Sequence, residues 1–146
     1  MKENIGIILV LISIVSLLSI IFSVFFQKKD AKNISKNSSL WENYEIKNQK
    51  VEGKELKLIV ADSPARFEKG LMYVRKPVDF DGMIFEFPDK QDRHFWNMNT
   101  FEDLDLYWYN DDNLLGKSFL PSIEKSKETV TVSSPGQANI VIEAIR

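Results

Sequence analysis

The segment HFWNMNTFEDLDLYWYN, residues 94–110, holds the side chains best suited to binding a small molecule. Its seventeen positions include six aromatic residues, three Asn, two Asp and the only histidine of the chain. Aromatic rings stack on the C–H faces of apolar or sugar-like molecules, and amides and carboxylates hydrogen-bond to hydroxyl groups. The segment therefore predicts a site for a small polar or carbohydrate-like ligand. Two ordinary strands of a hydrophobic core are the alternative.

Alternation of apolar and polar residues divides the segment between two faces, because successive side chains of a strand point to opposite sides. We expect two strands joined through the turn NTFED, residues 99–103. The face predicted to lie in the core comprises Trp96, Met98, Leu104, Leu106 and Trp108. The opposite face carries Phe95, Asn97, Asp105 and Tyr107.

Asp105 is the polar residue of this segment whose position most needs explanation. It lies between two leucines in mid-strand, and a carboxylate there must be exposed or paired, since burying it alone is costly. Arg75 and Arg93 are the arginines upstream that could pair with it. A carboxylate pair of Asp105 with Glu143 would support acid–base chemistry, which makes a hydrolase or lyase one alternative function.

Composition excludes several other chemistries. The chain has no cysteine and one histidine, so disulfides, thiolate metal sites and a cysteine nucleophile are excluded, and no spacing suits a transition metal. We predict no metal, no cofactor and no catalytic residue. Residues 41–146 carry ten Lys and four Arg against nine Asp and ten Glu. This acidic balance predicts that the domain does not bind nucleic acid.

The N-terminal region predicts a single-pass membrane anchor. Residues 5–26 contain no charged side chain, and a helix of that length, at ~1.5 Å per residue, would cross a hydrocarbon core of about 30 Å. Residues 1–4 form a short tail before it, and residues 27–40, rich in Lys, Asn and Ser, predict a flexible linker. The lysines after the apolar run favour a cytoplasmic domain, whereas the short N-terminal tail favours the opposite orientation.

The remaining residues, 41–146, predict one mainly β domain, a compact sandwich or barrel of about seven to eight short strands with one short helix. Residues 44–50 and 56–61 flank Gly53 and predict a β-hairpin. Residues 62–72 predict a helix of about two turns, because Pro suits its first turn and Gly its end. Six further short strands follow, separated by turns rich in Pro, Asn, Asp and Ser.

Five blocks of the sequence resemble the DUF192 (UPF0127) family, over roughly residues 52–144. The blocks and the isolated proline that carry the resemblance are VADSPARFEKGLMYVR (60–75), DGMIFEFP (81–88), FWNMNT (95–100), LDLYWYN (104–110), Pro121 and SSPGQANIVIEA (133–144). The family pattern usually has Met-Lys after Phe-Trp, where this chain has Asn97-Met98. Ligand chemistry that depends on that lysine is therefore not expected here.

The resemblance implies a compact, mostly β domain, often exported behind a signal sequence or an anchor, and so favours an extracytoplasmic location. It implies no established activity. It also suggests that Arg75, Asn99 and Asp105 belong together. From the residues and the resemblance we predict a non-enzymatic binding module, with an accessory domain that docks onto an envelope protein as the other alternative. The candidate ligand-binding residues are Arg75, Phe95, Trp96, Asn97, Asn99, Asp105, Tyr107 and Glu143.

Overall fold

The structure is a computed structural model that describes residues 19–24 and 41–146. The chain divides into two units, residues 1–36 and 37–146. In the first unit residues 19–24 are helical. No helix within the described residues combines the length and apolar character needed to cross a membrane. The predicted linker over 27–40, the tail over 1–4 and most of the predicted anchor over 5–26 lie outside the described residues.

Within residues 41–146 the second unit is mainly β, as predicted, with eight strands and two short helices, one helix more than expected. Its elements are β1 (Ile46–Val51), β2 (Lys54–Ala61), α1 (Pro64–Lys69), β3 (Gly82–Gln91), β4 (His94–Trp96), β5 (Leu104–Asn110), β6 (Asn113–Leu120), α2 (Ile123–Ser126), β7 (Thr131–Ser133) and β8 (Ala138–Ile145). Six strands form one sheet in the order β1-β2-β3-β8-β5-β6, and β4 pairs with β7 in a second, two-stranded sheet.

The first three strands follow from local sequence signals. Glu52 and Gly53 adopt positive φ angles of 48° and 86° between β1 and β2, which confirms the predicted hairpin. Strand β3 then lies parallel to β2, and parallel neighbours require a crossover connection. Helix α1 supplies part of it, beginning with Pro64 and ending before Gly70 at a φ of 47°.

The six-stranded sheet has buried side chains on both faces, in two hydrophobic clusters. Alternation along β5 places Leu104, Leu106 and Trp108 in the first cluster and Tyr107 in the second, as the sequence predicted for the three apolar residues. Along β8, Val141 belongs to the first cluster and Ile142 to the second. The second cluster is formed by residues of the sheet's own strands, whereas the first face contacts the β4 strand through Phe95.

The predicted pairing of the two strands within residues 94–110 is wrong. Strand β4 pairs with β7, while β5 lies between β6 and β8. The predicted faces of β4 are also reversed: Trp96 and Met98 are 49% and 42% exposed, whereas the Phe95 ring lies 5.5 Å from that of Trp108. The reason is that a three-residue strand has too few alternations to define its phase from sequence.

Candidate functional site

An open cleft of about 430 Å³ lies between α1, the start of the segment after it, β3 and β4. Five of its fifteen lining residues are Phe or Trp. They come from all three elements and are Phe67 of α1, Phe85 and Phe87 of β3, and Phe95 and Trp96 of β4. The rings contact one another in series, with centroids 4.5 Å apart for Phe67 and Phe87 and 4.9 Å apart for Phe85 and Phe95. The cleft is thus a preformed aromatic surface, the kind of lining typical of small-ligand sites.

Glu143 contributes a buried carboxyl group to this cleft. It occupies β8 opposite Met83 on one side and Leu106 on the other, so its side chain points to the first face of the sheet. The residue is 4% exposed. The Leu71 backbone N–H donates a hydrogen bond to the carboxyl group, but Oε2 has no hydrogen-bond partner. Burial raises the pKa of Glu143 to about 8 because a low-dielectric site disfavours the charged form.

Two glycines allow the chain to approach this carboxyl group closely. A Cβ atom on Gly70 would lie 3.4 Å from Glu143 Oε2, and the φ of +47° at Gly70 also disfavours a side chain there. A Cβ atom on Gly82 would lie 2.0 Å from the Glu143 backbone oxygen, too close for any side chain. Glycine at these two positions therefore permits both the turn after α1 and the β3–β8 contact beneath the cleft.

The charged residues around the cleft are themselves held in place. The Arg93 guanidinium lies 3.9 Å from the Phe87 ring centroid and donates hydrogen bonds to the backbone oxygen of Ala138 and to Asp89. The Lys69 amino group lies 3.9 Å from the Trp41 ring centroid, and burial lowers its pKa. One wall ring, Phe87, thus already binds a cation of this chain, while Trp41, which Lys69 contacts, lies outside the cleft lining.

Three predicted residues, Phe95, Trp96 and Glu143, line the cleft. Asn97, by contrast, is fully buried and joins chain segments. Its side chain donates to the Pro121 oxygen at 2.9 Å and accepts from the Val130 N–H at 2.8 Å. These bonds satisfy the amide and hold the segments after β4 and α2 together.

Asn99 contributes to a turn. It has a positive φ of 57°, a conformation that asparagine tolerates better than most residues. Its backbone oxygen accepts a hydrogen bond from the Tyr73 N–H at 2.8 Å. This contact ties the segment after β4 to the segment after α1.

Asp105 and Tyr107 lie on the second face of the sheet, away from the cleft. Asp105 is opposite Ala144 and Leu106 is opposite Glu143, so the Asp105 and Glu143 side chains point to opposite sides of the sheet. The acid–base pair that the hydrolase hypothesis needed is therefore not formed. Asp105 pairs with Lys117 at 3.4 Å and with Arg146 at 3.5 Å.

Tyr107 donates a hydrogen bond to Glu52 at 3.1 Å, also on the second face. Arg75 donates to Glu124 at 2.8 Å and lies 3.8 Å from the Phe101 ring centroid. None of Arg75, Asp105 and Tyr107 is part of the cleft lining. Of the predicted polar residues, Glu143 lines the cleft, and Asp105 belongs to a cluster of ion pairs.

Sequence reasoning missed several wall residues, namely Phe67, Phe85, Phe87 and Gly70. Phe85 and Phe87 alternate along β3, a signal that places them on one face. Nothing local indicated that this face would meet α1. Within residues 19–24 and 41–146, no group of three or more His, Asp or Glu side chains is arranged to hold a metal ion.

The model of the DUF192 family, described as "uncharacterized ACR", matches residues 45–146. The chain belongs to the DUF192 family. The match runs from just before β1 to Arg146, so the cleft and both faces of the sheet lie within it. A search of curated proteins found no match.

Two solved structures have a similar fold. One is a protein from Sinorhizobium meliloti 1021 described as a candidate transcription regulator, with 24% identity, a TM-score of 0.54 and coverage of 70% of this chain and 81% of that chain. The other is a protein of unknown function from Novosphingobium aromaticivorans DSM 12444, with 21% identity, a TM-score of 0.51 and coverage of 71% and 83%. At these identities the likeness shows the fold alone.

Proposed function

We propose that the DUF192 domain is a non-enzymatic binding module that holds a small ligand in its aromatic cleft. One observation carries the proposal: a buried carboxyl group, with an oxygen that lacks a hydrogen-bond partner, lies in a cleft walled by aromatic rings. Buried polar atoms are almost always satisfied in folded proteins. A carboxyl group buried without a partner beside a cleft of small-molecule size is best explained by a ligand whose polar or charged group compensates it.

The shape and chemistry of the cleft support a ligand with two parts. The aromatic walls favour a body with apolar or C–H faces, which includes carbohydrate-like rings. Glu143 favours a polar or charged group at one end of that body. Binding is favoured over hydrolysis because the second carboxylate of the hydrolase hypothesis, Asp105, lies on the other face of the sheet.

Ligand-induced thermal stabilisation tests the cleft. We expect at least one compound from a panel of monosaccharides, amino sugars and small amines to raise the Tm of the full chain in lipid nanodiscs. Trp96→Ala should abolish the shift, because Trp96 is a half-exposed wall residue whose removal takes away stacking area. The measurement is Tm by intrinsic fluorescence or calorimetry, with and without ligand.

Tyr73→Ala is the matched control, because Tyr73 is a 62% exposed aromatic residue outside the cleft lining. It should retain the shift. If Trp96→Ala and Tyr73→Ala both keep the full ligand-induced shift, the ligand binds elsewhere and the cleft is not the site.

We also propose that residues 5–26 anchor the chain in a membrane with the DUF192 domain on the extracytoplasmic side. The uncharged apolar run supports this, as does the export common in the family. The full chain, expressed in a bacterial host, should stay in the membrane fraction after alkaline carbonate washing, and protease added to spheroplasts should digest the domain. Release by carbonate would contradict the anchor, and protection of the domain in intact spheroplasts would contradict the orientation.

A further inference from the structure

We propose that the ligand of the cleft is an organic cation, an ammonium group on an apolar or sugar-like body, held against the aromatic walls above Glu143. This inference rests on the proposed function and specifies the chemical class of ligand for the same site. It follows from three features of the cleft: the state of the Glu143 carboxyl group, the charge of the lining, and the arrangement of the rings.

The Glu143 carboxyl group lacks a positive partner within the protein. None of the ion pairs in the described part of the chain includes Glu143. Its polar contact is the hydrogen bond from the Leu71 N–H, and such a bond favours a charged carboxylate without neutralising it. A buried carboxylate is costly unless a cation accompanies it.

The burial of Oε2 distinguishes a cation from a neutral ligand. Oε2 lies beneath the backbone at Gly70 and is itself buried. A neutral hydroxyl or carbonyl group gains from a carboxyl group only through a direct hydrogen bond, within about 3.2 Å. A positive charge needs no such contact, because the Coulomb interaction declines only with distance and is strong where water is excluded.

The charges that face the cleft are otherwise balanced. From α1 come Glu68 and Lys69, from the β3–β4 connection come Asp92 and Arg93, and His94 begins β4. Arg93 is already paired with Asp89, and His94 Nδ1 lies 2.8 Å from Ser133 Oγ. With Glu143 ionised, the lining residues carry one net negative charge, to which Asp89 beside Arg93 adds, so the cleft favours a cation.

The rings are placed to receive such a cation. Phe95 is half-buried and meets the fully buried Phe85 edge to face at 88°, so Phe85 supports the Phe95 ring from within the wall. Half-exposed Trp96 follows Phe95 directly and also lines the cleft. Ring faces beside a carboxylate are a known arrangement for ammonium recognition, since the negative face of each ring attracts the charge.

Two matched pairs of probes isolate the charge. Choline and 3,3-dimethyl-1-butanol have nearly the same shape but differ in charge, and cyclohexylamine, which is protonated at pH 8.5, differs in charge from cyclohexanol in the same way. By isothermal titration calorimetry on the full chain in nanodiscs at pH 8.5, we expect at least one cation to bind tenfold or more tightly than its neutral counterpart. Glu143→Gln should remove that difference, while Asp105→Asn, a carboxylate change on the other face of the sheet, should keep it.

The pH dependence gives a second readout. With the Glu143 pKa at about 8, the ionised fraction rises between pH 6.5 and 8.5, so choline should bind about twentyfold more tightly at pH 8.5. A neutral ligand that accepts a hydrogen bond from the protonated Glu143 carboxyl group would show the opposite trend. In Glu143→Gln the affinity for choline should not change with pH in either direction.

The outcomes separate the two proposals. If the neutral probes bind as tightly as the cations, the proposal of a cationic ligand is wrong. It is also wrong if the affinity for choline stays constant or falls as the pH rises. Either result leaves the cleft as a small-ligand site. Cation binding that Glu143→Gln leaves unchanged also overturns the inference. If no probe of either pair binds, the proposal of a cationic ligand is wrong, and so is the proposal that the cleft is a site for small ligands of these kinds.

Discussion

The Glu143→Gln variant will gain stability relative to the unaltered chain as the pH rises from 4.5 to 8. Burial raises the pKa of Glu143 from its ordinary value of 4.5 to about 8. In this window the unfolded chain releases the Glu143 proton while the folded chain keeps it. The folded state therefore binds more protons, and its free energy of unfolding falls as the pH rises.

The expected effect is large for one side chain. The contribution of Glu143 to the free energy of unfolding falls by about 1.4 kcal/mol per pH unit within this window. By pH 8 the loss of stability is on the order of 4 kcal/mol. Glutamine has nearly the same shape and does not ionise, so it avoids this loss. A stability cost of this size at neutral pH would be compensated when a ligand binds the folded state.

Urea denaturation of the unaltered chain and of Glu143→Gln at pH 4.5, 6, 7 and 8, followed by circular dichroism, measures the difference between their free energies of unfolding. Glu55→Gln is the control, because Glu55 is an exposed glutamate on β2 whose loss changes the net charge by the same amount. The stability that Glu143→Gln gains over the unaltered chain should grow with pH well beyond any gain from Glu55→Gln. Equal curves for the two variants would show that Glu143 is not buried as an unpaired carboxyl group.

The Gly82→Ala variant will lose about 3 kcal/mol or more of stability, a large fraction of the 5–15 kcal/mol typical of a domain. The new Cβ atom would lie 2.0 Å from the Glu143 backbone oxygen and 3.0 Å from the Ala144 Cα atom. Both neighbours are main-chain atoms of β8, which cannot move aside as a flexible side chain would. The start of β3 must therefore move away from β8, and this movement disrupts the base of the cleft.

Gly136→Ala is the matched control, because the nearest atom to its new Cβ would be Leu115 Cδ1 at 4.0 Å. Thermal and urea unfolding of both variants should show a marked loss for Gly82→Ala and a change within about 0.5 kcal/mol for Gly136→Ala. Similar midpoints for the two would mean that β3 and β8 are not in the close register described above.

Much of the fold could be predicted because its signals are local. Gly53 permits the turn between β1 and β2, Pro64 begins α1, and the alternation of leucines along β5 identifies its buried face. Each signal depends on residues a few positions apart, where the chain's own stereochemistry restricts the outcome. Helix α2 was missed because four helical residues after a proline resemble a turn.

The candidate site was predicted only in part, for a reason visible in Phe95 and Asp105. Both belong to one aromatic and polar segment, but β4 pairs with β7 and packs on the first face of the sheet, whereas β5 is part of the sheet and Asp105 points to its second face. The sequence included Phe95, Trp96 and Glu143 among its candidates. It could not separate them from residues on the other face, because the phase of a short strand depends on its partners.

The sequence by itself therefore determined the mainly β class, the hairpin, the first helix and the buried face of β5. Only the tertiary structure decided that β8 lies between β3 and β5, which brings Glu143 beside Gly70 beneath a cleft lined by α1 and β4. The physical reason is that strand order and register are set by contacts between residues far apart in the chain. Local propensity fixes which residues alternate, and long-range packing fixes what each face meets.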